Sequence, residues 1–160
     1  MRYIVRQKVF SLRSSFTIKD EGQEDIYLVK GQLLSLGNKL RIFNMGEEEL
    51  CYIEQQLFRF LPEYNIYIDG VLEASIKKKF ALFKNDFEIA AKKGQYYIEG
   101  DVFAYEFNIY KEGFMVASVS KKFFSFGDTY GVEVDDDENQ VFIMALVIII
   151  DMVCHNNNKN

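Results

Sequence analysis

Apolar and polar residues alternate with a period of two along most of the chain. Phe16 and Ile18 alternate with polar neighbours, and Leu40 and Ile42 do the same. Such alternation indicates strands that bury one face, and about twelve short strands fit between Tyr3 and Val134. A single open sheet of that size would leave two unpaired edges. The pattern therefore predicts an all-β protein built as a closed antiparallel barrel.

Glycines mark the turns between the paired alternating runs. Gly22, Gly70 and Gly113 each lie between two such runs. A tight hairpin turn needs a positive φ angle, which glycine adopts without strain. We therefore expect hairpins at these three positions, and the Asp69-Gly70 pair is the clearest turn signal.

One segment of the chain is repeated. Residues 65–80 recur as residues 108–123, at an offset of 43, with Asn, Ile, Tyr, Gly, Ala, Ser, a Lys pair and Phe in the same order. A fainter copy begins at Phe16. Units of roughly 45 residues are too short for separate domains and indicate stacked β-meanders. We expect one domain over residues 1–155, followed by a disordered polar tail at 156–160.

The end of the chain changes character. From Val141 to Cys154 every residue except Asp151 is apolar. A helix that is apolar on all sides is buried either in protein or in lipid. At about 1.5 Å per residue this one spans roughly 21 Å, short of the roughly 30 Å hydrocarbon core of a bilayer. The pattern predicts a helix through the centre of the barrel, although the β-branched content leaves a central strand as the alternative. The predicted core residues of this helix include Phe142, Leu146, Ile149 and Asp151.

Four consecutive acidic residues, 135–138, precede this apolar segment. Acidic groups there supply an N-cap and complement the positive end of the helix dipole. The alternative is a calcium site. However, an EF-hand loop alternates its ligands around a central glycine, whereas these acids are contiguous and include no glycine. We therefore expect a helix cap and no metal.

An ordered set of motifs resembles a known family. These are residues 16–22 and 26–31, the Ala-Ser-Ile and Ala-Ser-Val hairpins that end in Lys-Lys, residues 127–130, and the apolar helix carrying Asp151. In this order the chain resembles the LURP-one-related proteins, which share the tubby C-terminal-like fold with the phospholipid scramblases. The resemblance implies a tubby-like barrel of twelve strands around a hydrophobic C-terminal helix.

The resemblance specifies the function less closely than the fold. Tubby-like domains bind phosphoinositides and scramblases act on lipid, so the resemblance implies a non-enzymatic binding or scaffold protein that docks on anionic lipid or phosphoinositide headgroups. No motif here matches the phosphoinositide-binding residues of tubby, and none is carried over. A scramblase-like lipid translocator, whose terminal segment would leave the barrel, stays open as an alternative.

Two lysine clusters are the candidate site for an anionic ligand: Lys77, Lys78 and Lys79, and in the repeat Lys121 and Lys122. The period of two assigns one inner face to Leu72, Ala74, Ile76 and Lys78, and its repeat to Met115, Ala117, Val119 and Lys121. An inward lysine at the end of a strand would lie at the barrel rim and meet a phosphate there. Alternatively, such lysines only block association between strand ends. The sequence does not show whether both clusters share one rim.

Candidates for catalysis are weaker. Cys154 and His155 are adjacent, whereas a catalytic dyad normally meets across a fold with a third, orienting group. Upstream of the repeat, Glu54 recurs as Glu99 at an offset of 45, which leaves open a hydrolase that uses two rim carboxylates. We expect Asp151 to be structural, because a buried carboxylate needs hydrogen bonds or a cation. No catalytic residue and no cofactor is predicted.

Composition limits the partners and the compartment. The 160 residues include 19 Lys and Arg against 24 Asp and Glu, which gives a formal charge of −5 and argues against nucleic-acid binding through bulk charge. Two distant cysteines make no disulfide framework, and no apolar stretch follows the basic N-terminus, so we expect no secretory signal. The expectation is a cytoplasmic monomer that binds membranes peripherally.

Overall fold

The computed structural model describes residues 1–7, 15–32, 36–80, 87–123 and 127–155. The tail predicted at 156–160 lies outside these ranges. Strands follow one another along the chain, with one short 3-10 helix (Lys121–Phe123) before the last of them, and an α-helix ends the described part. The strands are β1 (Arg2–Arg6), β2 (Ser15–Asp20), β3 (Asp25–Gln32), β4 (Lys39–Asn44), β5 (Glu49–Gln55), β6 (Glu63–Ile68), β7 (Val71–Lys78), β8 (Phe87–Ala91), β9 (Gly94–Asp101), β10 (Glu106–Lys111), β11 (Phe114–Ser120) and β12 (Thr129–Val134).

The twelve strands close into an antiparallel barrel, as predicted. Each strand pairs with its neighbours in the chain, and β1 pairs with both β2 and β12. The closing pair runs from Arg2 opposite Glu133 to Arg6 opposite Thr129. Closure pairs the first strand with the last, so no strand is left as an edge that could template association.

The two rims of the barrel differ. All odd-numbered strands run in one direction, so the connections after β1, β3, β5, β7, β9 and β11 gather at one end, which we call the loop rim. The connections after the even-numbered strands gather at the other end, the turn rim, where short turns such as Asp69-Gly70 close the hairpins. Helix α1 begins at the turn rim, after β12.

Two of the three predicted turn glycines have the expected conformation. Gly70 has φ of 74° and follows Asp69 at 50°, and Gly113 has φ of 86° and follows Glu112 at 49°. Two successive left-handed residues are typical of a type I′ hairpin turn. A hairpin also forms at Gly22, between β2 and β3, but the left-handed residue of that longer turn is Gln23, at 67°, and not the glycine.

The repeat corresponds to two equivalent hairpins, β6–β7 and β10–β11. Each contains a register shift at the same place, between Ile66 and Tyr67 and between Ile109 and Tyr110. A bulge adds a residue to one strand and reverses the alternation of its side chains beyond that point. The inward assignment is therefore wrong for Leu72 and Met115, which are exposed. It is correct for the four small or aliphatic residues beyond the bulge, which are buried: Ala74, Ile76, Ala117 and Val119.

Helix α1 (Gln140–His155) fills the barrel, which excludes the alternative of a central strand. Every residue from Phe142 to Cys154 is buried, including the predicted core residues Leu146 and Ile149. The helix is apolar on all sides because strands surround it on all sides. Among the residues that the structure describes, no helix is long and apolar enough to cross a membrane.

Candidate functional site

Both lysine clusters lie at the loop rim. Strands β7 and β11 run in the same direction, and each ends at this rim, β7 with Lys78 and β11 just before Lys121. Four strand spacings of about 4.8 Å separate the two strands, or about 19 Å along the wall. The clusters therefore share one end of the molecule but form no common pocket for one small anion.

The first cluster lies along the end of β7. Lys77 is exposed and lies opposite Glu63 on β6 and Glu88 on β8. Lys79 is exposed, with its Nζ 3.9 Å from the Glu88 carboxylate. Lys78 is half-buried and lies close to Cys154. Its positive charge lowers the pKa of the Cys154 thiol, against the larger effect of burial, which raises it. The inward lysine thus lies beside the C-terminal end of helix α1, where the helix dipole favours a positive charge.

The second cluster lies in a short 3-10 helix, Lys121–Phe123. The Lys121 Nζ lies 4.9 Å from the centre of the Tyr105 ring, a cation–π contact. Lys122 is exposed, and its backbone NH donates to the Ser120 hydroxyl. Within the described parts of the chain, Lys77, Lys78, Lys121 and Lys122 form no ion pair. Their charges are available to a ligand.

An aromatic stack closes the barrel beneath these lysines. The Tyr105 ring stacks on His155 at 4.2 Å between centroids and on Tyr130 at 4.7 Å, and its hydroxyl donates to Asp151 Oδ1 at 2.7 Å. Asp151 is buried and accepts this bond, as its structural interpretation requires. Complete burial, together with the nearby Asp151, raises the pKa of Tyr130. No sequence pattern marks Tyr105 as a functional residue, because it only begins the run that leads into β10.

Cys154 and His155 do not form a nucleophilic pair. Burial raises the pKa of the Cys154 thiol to about 12, the opposite of what a nucleophile needs. The His155 Nε2 lies 3.3 Å from the Val102 carbonyl oxygen. These contacts hold the end of helix α1 against the connection between β9 and β10.

The acidic residues 135–138 at the turn rim do not supply the predicted N-cap of helix α1. The helix N-cap is Asn139, whose side-chain oxygen accepts from the Phe142 backbone NH at 2.9 Å. Asp135 instead accepts from the NH of Asp137 within its own turn, and Glu138 accepts from Lys111 at 2.7 Å. The described residues hold no group of three or more His, Cys, Asp or Glu side chains arranged for a metal ion.

A small pocket, open to solvent, lies beside the start of helix α1. Two cations line it, but each faces a carboxylate: Lys111 is 2.7 Å from Glu138, and Lys93 is 4.0 Å from Glu73. The hydrogen bond that Lys111 donates to Glu138 raises the pKa of Lys111. The charges that could attract an anion are therefore already paired within the pocket.

The two recurring carboxylates are far apart. Glu54 lies on β5 and Glu99 on β9, again four strand spacings or about 19 Å along the wall. Glycosidic acid pairs stand about 5–10 Å apart. The structure does not bring these two groups together for hydrolysis.

The LURP-one-related family model matches residues 1–151 of the chain. The chain belongs to this family. A relative, the uncharacterized protein YxjI of Bacillus subtilis (strain 168), is 33% identical over 152 residues, which cover 95% of this chain and 93% of YxjI. The resemblance inferred from the motifs is confirmed.

A solved structure shows the same fold. The X-ray structure of an Arabidopsis thaliana protein superposes with a TM-score of 0.71 at 16% sequence identity, covering 95% of this chain and 90% of that one. At that identity the likeness concerns the fold alone. It agrees with the closed barrel and its central helix.

Proposed function

We propose that this LURP-one-related protein is a non-enzymatic binding protein that docks its loop rim on the anionic headgroups of a membrane. The observation that carries the proposal is that Lys77–Lys79 and Lys121–Lys122, distant in sequence, lie at one rim. Lysines near an anionic bilayer contribute about 1 kcal/mol each. Five of them on one face are enough for weak, reversible docking.

The spacing of the clusters favours a surface over a single small ligand. A phosphate group is held by donors that converge within hydrogen-bond distance, whereas Lys78 and Lys121 are about 19 Å apart along the wall. A bilayer presents many phosphates in one plane. Charges distributed around a rim match such a plane.

The negative net charge does not oppose this orientation. Acidic side chains concentrate at the turn rim, in residues 20–25, 47–49 and 135–138. The 16 residues of helix α1 separate the two rims by about 24 Å. Because exposed charges are screened over roughly 10 Å at 0.1 M salt, the membrane responds mainly to the charges of the nearer rim.

The alternatives fit the geometry less well. A translocator that releases its terminal segment would have to expose a helix whose residues from Phe142 to Cys154 are all buried. A hydrolase would need Glu54 and Glu99 to approach each other, and they lie four strands apart. The available lysines instead suit binding.

Vesicle sedimentation tests the proposal. Phosphatidylcholine vesicles are compared with vesicles that also contain phosphatidylglycerol or a phosphatidylinositol phosphate, between about 50 and 200 mM salt. We expect binding to the acidic vesicles only, falling steeply with salt. Substituting Gln for Lys78, Lys79, Lys121 and Lys122 should remove it. The matched control replaces Lys92 and Lys93, exposed lysines of the turn rim, and should bind like the wild type.

Two outcomes would contradict the proposal. One is a wild-type protein that ignores acidic vesicles even at low salt. The other is equal loss of binding in the loop-rim variant and the Lys92→Gln, Lys93→Gln control, which would show a general charge effect rather than a docking face.

A further inference from the structure

Large apolar side chains project from the loop rim into solvent. Phe58 and Phe60, between β5 and β6, are 102% and 94% exposed, and Phe80, after β7, is 75% exposed. Phe103, between β9 and β10, is also exposed. Single apolar side chains on a surface are common, but several phenylalanines on successive loops of one rim indicate an interaction surface.

Phe58 is also held in a strained conformation. Its φ angle is 58°, in the left-handed region that bulky residues rarely adopt. Two features of Phe58 are unfavourable for stability. Its positive φ angle is strained, and its apolar ring is fully exposed to water. Strained residues of this kind cluster at functional sites.

Two of the exposed phenylalanines of the loop rim adjoin the lysines in sequence. Phe80 directly follows Lys79, and Phe123, also exposed, directly follows Lys122. The Phe103 ring packs edge-on against His155, and the Tyr105 ring beneath Lys121 stacks on the same histidine. Aromatic rings favour the interface of a bilayer and lysines favour its phosphates, so this combination matches an anionic membrane surface.

We propose that the loop rim penetrates the interface of an anionic bilayer, with Phe58, Phe60 and Phe80 at the boundary between headgroups and acyl chains and the lysines at the phosphates. This inference rests on the proposed function and adds apolar insertion to electrostatic docking. An anionic bilayer attracts the lysines of the loop rim and repels the acidic residues of the turn rim, so the loop rim is the one that meets the membrane. Phe114 is 77% exposed, but it lies at the acidic turn rim, which an anionic bilayer repels.

The chain contains no tryptophan, which makes the test direct. Single substitutions Phe58→Trp and Phe60→Trp place one fluorophore at the loop rim, and Phe114→Trp places one at the turn rim as the matched control. With vesicles containing phosphatidylglycerol, we expect a blue shift of the emission and quenching by brominated acyl chains for the first two proteins. The Phe114→Trp protein should show neither.

Affinity gives a second readout. Phe58→Ala and Phe60→Ala remove exposed rings, and each should weaken vesicle binding about tenfold. Part of the wild-type binding should survive high salt, and this salt-resistant part should disappear in the double variant. Phe114→Ala should bind like the wild type. Thermal unfolding checks that each variant is folded.

The outcomes separate the two proposals. If acidic vesicles bind the wild type but not the lysine variant, while emission of the Phe58→Trp and Phe60→Trp proteins stays unshifted and salt removes all binding, insertion is wrong and headgroup docking stands. If no acidic vesicle binds, both proposals fail. If the shift occurs equally with neutral vesicles or in the Phe114→Trp protein, a specific inserting rim is excluded. A molar mass that rises with protein concentration in the absence of vesicles would show that the protein self-associates. If the loop-rim phenylalanines are buried in that association, insertion is also wrong.

Discussion

The hydroxyl of Tyr105 donates a 2.7 Å hydrogen bond to the buried Asp151 Oδ1. This bond joins the connection between β9 and β10 to the last part of the helix that fills the barrel. Because His155 and Tyr130 stack on the same Tyr105 ring, one side chain fixes the floor of the loop rim. The rim that we propose to meet the membrane is therefore anchored to the hydrophobic core.

Replacing Tyr105 by Phe should lower the free energy of unfolding by about 1–3 kcal/mol, because the buried Asp151 loses the hydrogen bond from the Tyr105 hydroxyl. Urea denaturation measures this change. Tyr97→Phe, at an exposed tyrosine of β9, is the control and should change stability little. Equal effects of both substitutions would show that the bond to Asp151 contributes nothing special.

Helix α1 should be indispensable to the barrel. Leu146 is fully buried, so Leu146→Ala should cost roughly 2–5 kcal/mol through lost burial and the cavity left behind. Leu57→Ala, at an exposed leucine of the loop rim, should change stability far less. Deletion of residues 139–160 should abolish folding. A soluble truncated protein that unfolds cooperatively would contradict this architecture.

Both thiols should be protected in the folded protein. Cys51 and Cys154 are buried and free, and burial raises the pKa of each to about 12. At pH 8 only about one thiol in ten thousand is ionised at such a pKa. We expect Ellman's reagent to react very slowly with native protein and rapidly with both thiols in urea. Fast modification of the native protein at pH 8 would show that the core opens locally.

Alkaline pH should destabilise the fold. Burial raises the pKa of Tyr130 and Tyr64 as well as of both cysteines, so the native state holds these protons more tightly than the unfolded state does. Their contribution to stability is complete below the unfolded thiol pKa of 9.0 and declines as the pH rises towards 12. Urea midpoints measured from pH 7 to pH 11 should fall above about pH 9. A constant midpoint would contradict the buried, protonated assignment.

Millimolar calcium should leave the melting temperature nearly unchanged, within about 1 °C. The acidic residues before α1 already have protein partners: Asp135 accepts from Asp137 NH, and Glu138 accepts from Lys111. Differential scanning fluorimetry with and without the ion checks this. A rise of several degrees that disappears in the Asp135→Asn, Asp137→Asn variant would instead indicate a calcium site.

Local patterns accounted for much of the fold. The period of two and the turn at Asp69-Gly70 predict strands and hairpins, and the apolar run around Leu146 predicts a buried helix. These signals succeed because alternation and turn chemistry act between residues close in sequence. Leu72 and Met115 show the limit. A bulge changes the face of a side chain, and its position depends on pairing with a neighbouring strand.

By itself, the sequence determined the barrel, its repeat, its central helix and the lysines as candidate residues. Only the tertiary structure decided that Lys78 and Lys121 share one rim, that Tyr105 binds Asp151, and that Phe58 is exposed at the same rim. Rim membership follows from the direction of every strand around a closed ring, and the contact from Tyr105 to Asp151 spans 46 residues. Such relationships arise from closure and packing of the whole chain, which no local pattern contains.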